Sequence, residues 1–325
     1  MNLRWGLLGT ARINRLIIPA IRASDRSEVA AVASRDGARG QAYAATWNIP
    51  AVYASYDELL AADLDIIYIS LPNSLHVPWT LRAVAAGHHV LCEKPLALTA
   101  DDVRRVAQAA AAERRVVVDG FMYRHHAQSR RIAELIAGGA IGALRSLTGG
   151  FTYMQNRERD VRLDPALGGG ALWDVGCYPI HFGRWLAGAD ASRVAAAAQL
   201  GSSGVDESAA GVVTYANGVE LHFHSGFRAA YDTHMRVAGT DGILDVPRPY
   251  RPDTECHVVL HRGSTSERID TGGSAPFVDE VRDLEDAALG LKAPAVPLEE
   301  SRQLAATIVA IHESARTGTA RDVVG

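Results

Sequence analysis

Leu3-Arg4-Trp5-Gly6-Leu7-Leu8-Gly9-Thr10-Ala11-Arg12-Ile13-Asn14 reads as an apolar strand, a glycine turn and the start of a helix. A turn at a helix N-terminus presents backbone N–H groups, and the helix dipole adds to their attraction for phosphate. Against the G-x-G-x-x-G spacing of dinucleotide sites, Gly9 takes the first position, while Ala11 and Asn14 replace the second and third glycines. A helix-capping turn without a ligand is the plainer alternative, but strand, turn and helix in this order favour a pyrophosphate held by Gly9, Thr10, Ala11, Arg12 and Ile13.

Working outward, strand-type runs recur at Leu3 to Leu8, Val29 to Ser34, Ala51 to Tyr53, Ile66 to Ser70, His89 to Cys92 and Val116 to Asp119. Segments of helical period lie between them: Ile13 to Ala23, Ala38 to Trp47, Tyr56 to Ala62, Leu75 to Ala86 and Asp101 to Glu113. Thr99 with Asp102 resembles a capping box before the last of these. The alternation predicts a doubly wound parallel sheet, an α/β domain over residues 1–121. Its second strand ends in Ser34-Arg35, with Arg39 one turn on, where an NAD site carries an acid. A hydroxyl and guanidinium groups suit a 2'-phosphate, so NADP is expected, with NAD as the alternative because Asp36 is near enough to reach a ribose.

Residues 122–325 change rhythm and predict an α+β domain with a large, mostly antiparallel open sheet. A helix from Ser129 to Ala137 and a strand from Leu144 to Tyr153 precede an arginine-bearing loop and the run Gly168-Gly169-Gly170. From Val194 to Ile269 the chain reads as successive strands, with a hairpin at Ala216-Asn217-Gly218. Val219, Leu221 and Phe223 alternate with Glu220, His222 and His224, so one face packs on a core and the other stays open. Helices from Phe277 to Leu289 and Leu298 to Arg316 close the sequence.

Composition narrows the function. Lys plus Arg number 33 and Asp plus Glu 37 in 325 residues, a formal net charge of -4, which gives no reason to expect a nucleic acid or an anionic membrane as partner. No apolar run approaches a membrane span, and no signal-peptide pattern opens the chain. Cys92, Cys177 and Cys256 have neither paired nor metal-type spacing, consistent with a reducing cytoplasm. No metal site is expected: His88-His89 and His125-His126 point apart, and a polar outer face accounts for His222 and His224 on one strand face.

Ligands of doubly wound sheets sit beyond the carboxyl ends of the strands. Two polar segments end there, Leu71-Pro72-Asn73-Ser74-Leu75-His76 and Glu93-Lys94-Pro95, and Lys94 is placed to relay a proton beside a nicotinamide. In the second domain, Asp174, Tyr178 and His181 at spacings of four and seven share one predicted helix face. A structural hydrogen bond between an acid and a phenol is the plain alternative; Lys94 tips the reading towards chemistry.

These residues resemble the Gfo/Idh/MocA oxidoreductases. The resemblance covers nearly the whole chain and rests on Glu93-Lys94-Pro95 and on Gly168 through Asp174 to His181, supported by Pro72-Asn73, His76 and Gly239-Thr240-Asp241-Gly242. Tyr178 in place of a histidine resembles the branch containing dimeric dihydrodiol dehydrogenase, NADP-linked D-xylose dehydrogenase and glucose-fructose oxidoreductase.

The resemblance implies a Rossmann first domain, a final helix 298–316 packed back on it, and dimerisation, as a homodimer or higher homo-oligomer, through the second domain's sheet. It also implies Lys94 as catalytic lysine, Asp174 as substrate-orienting acid, Tyr178 as acid/base, His181 as a substrate contact and a cis Lys94-Pro95 bond. The cofactor contacts expected are Gly9 to Ile13, Ser34, Arg35, Arg39, Leu71, Pro72, Asn73, His76, Glu93 and Lys94. Arg124, Arg157, Arg159 and Arg162 are candidates for a substrate phosphate or carboxylate, with solvated arginines as the plainer reading. The activity implied is hydride transfer between NADP and a sugar or other polyhydroxylated substrate. Two alternatives stand beside it: NADPH-dependent 3-ketoreduction of a nucleotide-linked keto sugar, and a non-catalytic NAD(P) or sugar sensor.

Overall fold

A computed structural model describes residues 2–157 and 159–325. In chain order the first elements are β1 (Leu3–Leu8), α1 (Asn14–Arg22), β2 (Ser27–Ala33), α2 (Gly37–Trp47), β3 (Ala51–Tyr53), α3 (Tyr56–Leu60), β4 (Ile66–Ile69), α4 (His76–Ala85), β5 (His89–Glu93), α5 (Ala100–Ala112) and β6 (Val117–Gly120). Then follow α6 (Ala127–Ala137), β7 (Leu144–Met154), α7 (Cys177–Ala187), β8 (Ala191–Leu200), β9 (Asp206–Tyr215), β10 (Glu220–Gly226) and β11 (Arg228–Gly239). The remainder is β12 (Ile243–Val246), β13 (His257–Arg262), β14 (Thr265–Asp270), α8 (Val278–Ala288), α9 (Leu298–Thr317) and β15 (Arg321–Asp322). These elements form two units: residues 2–97, 101–122 and 275–298, and residues 98–100, 123–274 and 299–325. No helix among the described residues is long and apolar enough to cross a membrane.

The first unit is built on a parallel sheet in the order β3-β2-β1-β4-β5-β6. Leu7, Leu8, Val32, Ile66, Ile67, Ile69, Val90 and Leu91 are fully buried, as strands covered on both faces require. The order reverses between β1 and β4, which places the crevice for a ligand beyond the ends of these two strands. The helix closing this unit is α8, packed on α1. Its fully buried Glu285 accepts a hydrogen bond from Ser27 Oγ at 2.6 Å and pairs with Arg26 at 2.9 Å, while Trp5 Nε1 donates to Ser27 Oγ at 2.9 Å.

The last long helix, expected over 298–316, is α9. From Glu299 onward α9 belongs to the second unit, where Ser314 Oγ accepts the Ala196 N–H at 3.0 Å and Glu300 lies among Arg124, His181 and Arg184.

The second unit holds a sheet in the order β14-β13-β12-β11-β7-β10-β9-β8-β15, antiparallel except where β7 and β10 run parallel. The predicted alternation holds: Val219, Leu221 and Phe223 are buried, while Glu220 and His222 are exposed. Helix α7 covers the buried face against β7, β9 and β10. A π-helical turn, Leu172–Gly176, leads into it. Asp174 lies in this turn, and Tyr178 and His181 follow in α7.

Asp206 sets the start of that turn. Its Oδ2 accepts the Leu172 N–H at 2.7 Å, and its Oδ1 lies where only a glycine leaves room, since a Cβ on Gly170 would fall 2.3 Å away. Burial pushes this carboxyl up to about 6, against the Leu172 and Ala171 amides that favour its charge.

Two outcomes follow from these anchors. Glu285→Ala leaves Arg26 and Ser27 without their buried partner and is expected to lower stability by about 2–4 kcal/mol, read as a shifted urea midpoint. Because the folded state holds the Asp206 proton more tightly than the unfolded chain, stability falls as pH rises from about 4 to about 6. Asp206→Asn removes this loss, so its stability relative to wild type improves over that window by on the order of 2 kcal/mol. Parallel pH profiles of the unfolding midpoint would show the assignment to be wrong.

Candidate active site

At the end of β1, Gly9 holds φ at +109°, and a Cβ there would fall 3.1 Å from Leu71 Cδ2. Asn14, at the third position of the glycine pattern, is buried and donates from Nδ2 to Gly9 O at 2.9 Å, while its Oδ1 accepts from Ser70 Oγ at 2.8 Å. The asparagine thus ties the turn to the end of β4. Asn14 N–H bonds to Ala11 O, so the N–H groups of Thr10, Ala11, Arg12 and Ile13 precede the helical ladder, the arrangement a pyrophosphate needs.

Ser34 is buried at the end of β2, and its Oγ accepts the Asp36 N–H at 3.2 Å. Asp36 caps α2 by accepting the Arg39 N–H at 3.0 Å. That carboxylate serves the helix start. Arg39 reaches back to the glycine turn, donating to Thr10 O at 3.2 Å, and Arg35 is exposed beside it. Two guanidinium groups next to a hydroxyl, with the nearby acid engaged as a cap, fit a 2'-phosphate.

Beyond β4 and β5, Leu71, Pro72 and Asn73 are partly exposed, with Asn73 opening a short 3-10 turn. His76, expected as a cofactor contact, sits between the two loops. It is buried, with Nδ1 2.7 Å from Pro95 O and Nε2 2.8 Å from Leu71 O, so it braces the two loops against each other. Burial, opposed by these two carbonyls, lowers its pKa. The Lys94-Pro95 bond is cis. Glu93, beside it, accepts a hydrogen bond from the buried Tyr68 hydroxyl at 2.5 Å. Glu280 on α8 completes a buried acidic group that the sequence reading missed: burial, then Glu93, Asp119 and Asp283, push its carboxyl well above the usual range. The available signal was an acid on the same helix face as Val281, Leu284 and Ala287, all buried.

In the second unit, Tyr178 on α7 is 4% exposed and walled by aromatic rings, with centroids at 5.4 Å to Phe151, 5.5 Å to Tyr250 and 6.2 Å to Tyr123. Asp174 Oδ2 accepts from Tyr153 Oη at 2.8 Å and from Arg162 Nε at 2.9 Å. Arg162 is thereby a partner of the acid, and Asp174 raises its pKa further. Arg157 and Arg159 lie exposed in the loop.

His181 and Arg124, expected as substrate contacts, are held among protein groups. Both face Glu300. The imidazole is fully buried, with Nδ1 2.6 Å from Tyr123 Oη and Nε2 3.2 Å from Glu300. Burial holds its pKa down at about 4, so it is neutral, with Nε2–H towards the carboxylate and Nδ1 accepting from Tyr123. The Arg124 guanidinium pairs with Glu300 and lies 4.5 Å from the Trp185 ring centre. Neither type of side chain reports its burial from sequence, and Glu300 itself carried no motif.

The family model of an oxidoreductase NAD-binding Rossmann fold matches residues 3–121, and that of a GFO/IDH/MocA C-terminal domain matches residues 129–245. A D-xylose 1-dehydrogenase (NADP(+)) of Haloferax volcanii is 38% identical over 97% of this chain and 98% of its own. A dTDP-3,4-didehydro-2,6-dideoxy-alpha-D-glucose 3-reductase of Streptomyces antibioticus is 35% identical over 87% of each chain. Among solved structures, a 3-ketoreductase of Actinomadura kijaniata in complex with NADP and TDP-benzene has a TM-score of 0.92 at 30% identity, covering 97% of this chain and 98% of that one. Matches across both units, carried through nearly the full length of these relatives, make the chain a member of the Gfo/Idh/MocA oxidoreductase family.

Proposed function

We propose that the chain is an NADP-dependent oxidoreductase acting on a CH–OH or keto carbon of a sugar-like, polyhydroxylated substrate, and that it works in the cytoplasm as a homodimer. The observation that carries the cofactor reading is Arg39, which lies against the glycine turn while Asp36 is engaged as a helix cap. The NADP named for the Haloferax and Actinomadura relatives supports it.

When bound, the nicotinamide supplies the hydride donor or acceptor. The proton is the task of the chain's own side chains. Tyr178 is proposed to exchange it with the substrate oxygen, and Phe151, Tyr250 and Tyr123 fix the phenol ring and keep water from it. A phenol is a weak base at neutral pH, so the reading assigns to the Lys94 cation the stabilisation of the phenolate. Asp174, held by Tyr153 and Arg162, presents a fixed carboxylate that orients a neighbouring substrate hydroxyl.

A second reading, reduction of a nucleotide-linked keto sugar, has its own support. A cavity of about 400 Å³ is lined by Tyr231, Asp232, Thr233, Pro247, Arg248 and Arg251. Arg251 lies 5.8 Å from the centre of Phe151, the ring beside Tyr178, so cationic groups flank the aromatic wall. Such a lining suits diphosphate oxygens.

The deciding experiment follows nicotinamide absorbance with NADP or NAD against aldoses, dihydrodiols, keto sugars and nucleotide-linked keto sugars. Turnover with one class is expected, and Tyr178→Phe and Lys94→Ala are each expected to lose about 10²–10⁴-fold in kcat. Full turnover in Tyr178→Phe would move the acid/base role to Lys94. NADP binding without turnover on any substrate would favour a sensor. For the cofactor, Arg39→Ala is expected to raise the KM for NADP by about 10–100-fold and leave that for NAD nearly unchanged. Equal shifts for both would remove Arg39 from 2'-phosphate recognition.

A further inference from the structure

The outer face of the nine-stranded sheet carries a cluster of two histidines and Asp232, the last of which also lines the cavity described above. Gly150 of β7 pairs with His224 of β10 on one side and with His234 of β11 on the other. The absence of a side chain between them lets the rings approach. A Cβ on residue 150 would fall 2.1 Å from His224 Cε1 and 2.3 Å from its Nε2, so the imidazole lies across the glycine. The two rings are 5.2 Å apart, centre to centre. Asp232, two residues before His234 on the same strand face, accepts from His234 Nδ1 at 2.9 Å.

From this juxtaposition we infer that His224, Asp232 and His234 bind one divalent transition-metal ion of the zinc class on the outer face of the sheet. One donor atom from each residue lies within 4.8 Å of the others. With bonds of about 2.0–2.1 Å, donors around a tetrahedral zinc stand about 3.3 Å apart, so binding draws the three donors together. Two imidazoles and one carboxylate form a borderline donor set that prefers zinc, cobalt or nickel to magnesium or calcium.

The electrostatic setting agrees. Arg236, the next residue on this face of β11, is neutralised by two bonds to Asp245 at 3.0 and 3.1 Å, and Asp245 also pairs with His261 at 2.9 Å. On β10 the adjacent His222 lies 3.9 Å from Glu220. The sequence alone suggested His222 as the neighbour of His224 on one strand. The sheet instead brings His234 from two strands away, and a bound ion would clip β10 to β11 across β7.

The test uses the full chain in its native oligomeric state, with any affinity tag removed, stripped with a chelator and titrated calorimetrically with zinc chloride. One equivalent per chain is expected, with a matching visible absorption band when cobalt replaces zinc. His224→Ala and His234→Ala are each expected to bind zinc at least ~10-fold more weakly, and Asp232→Asn to weaken it in the same direction. Zinc is expected to raise the thermal midpoint of the wild type and leave that of the double histidine variant in place. Failure of the wild type to bind zinc, or unchanged binding by the folded double variant, would overturn the inference.

Discussion

A carboxylate taken out of water stays ionised only if enough positive charge and hydrogen-bond donors surround it, and the interior of the second unit is arranged around one such group. Glu300, near the start of α9, is largely buried, which opposes its charge. The hydrogen bond from His181, together with Arg124 and Arg184, outweighs this and holds it below the usual carboxylate range. The consequences run outward. Glu300 fixes the tautomer of His181, which in turn receives the Tyr123 hydroxyl, and Tyr123 is one wall of the ring cage around Tyr178. The Tyr178 ring is thus held by an ordered chain of neutral and charged partners that begins on a different helix.

At the cofactor end, helix starts decide which side chains face a ligand. Asp36 caps α2 through the Arg39 amide, and Asn14 closes the glycine turn onto Ser70. The acid near the end of β2 is thus the one that satisfies an orphan N–H of α2. Asn14, which departs from the glycine pattern, supplies by hydrogen bonding the rigidity of the turn.

Most of the architecture was legible in the sequence for a simple physical reason. Strands buried on both faces read as unbroken apolar runs, and those half-buried alternate, so the strands of the first unit and the Val219 to Ser225 strand were placed within a residue or two. Lys94, Asp174 and Tyr178 could be singled out because glycines, strand ends and helical spacing surround them. What could not be read was burial and partnership. His76, Arg124 and His181 have the chemistry of ligand contacts, yet carbonyls, a carboxylate and a phenol of the protein engage them. The π-helical turn before α7 and the buried acids around Glu280 escaped for the same reason, since both depend on tertiary neighbours and not on local pattern.

The helix α8 lies far along the chain from the rest of the unit it completes. The whole span from Tyr123 to Ser274 is thus inserted, in topological terms, into the first unit. A fragment ending at residue 121 would lack the partner of Arg26 and Ser27 and would leave α1 without the helix packed on it. The dinucleotide-binding unit is therefore not a portable module that recombination could detach at the edge of its family match. On the ribosome it waits, unfinished, until the chain beyond residue 288 has emerged.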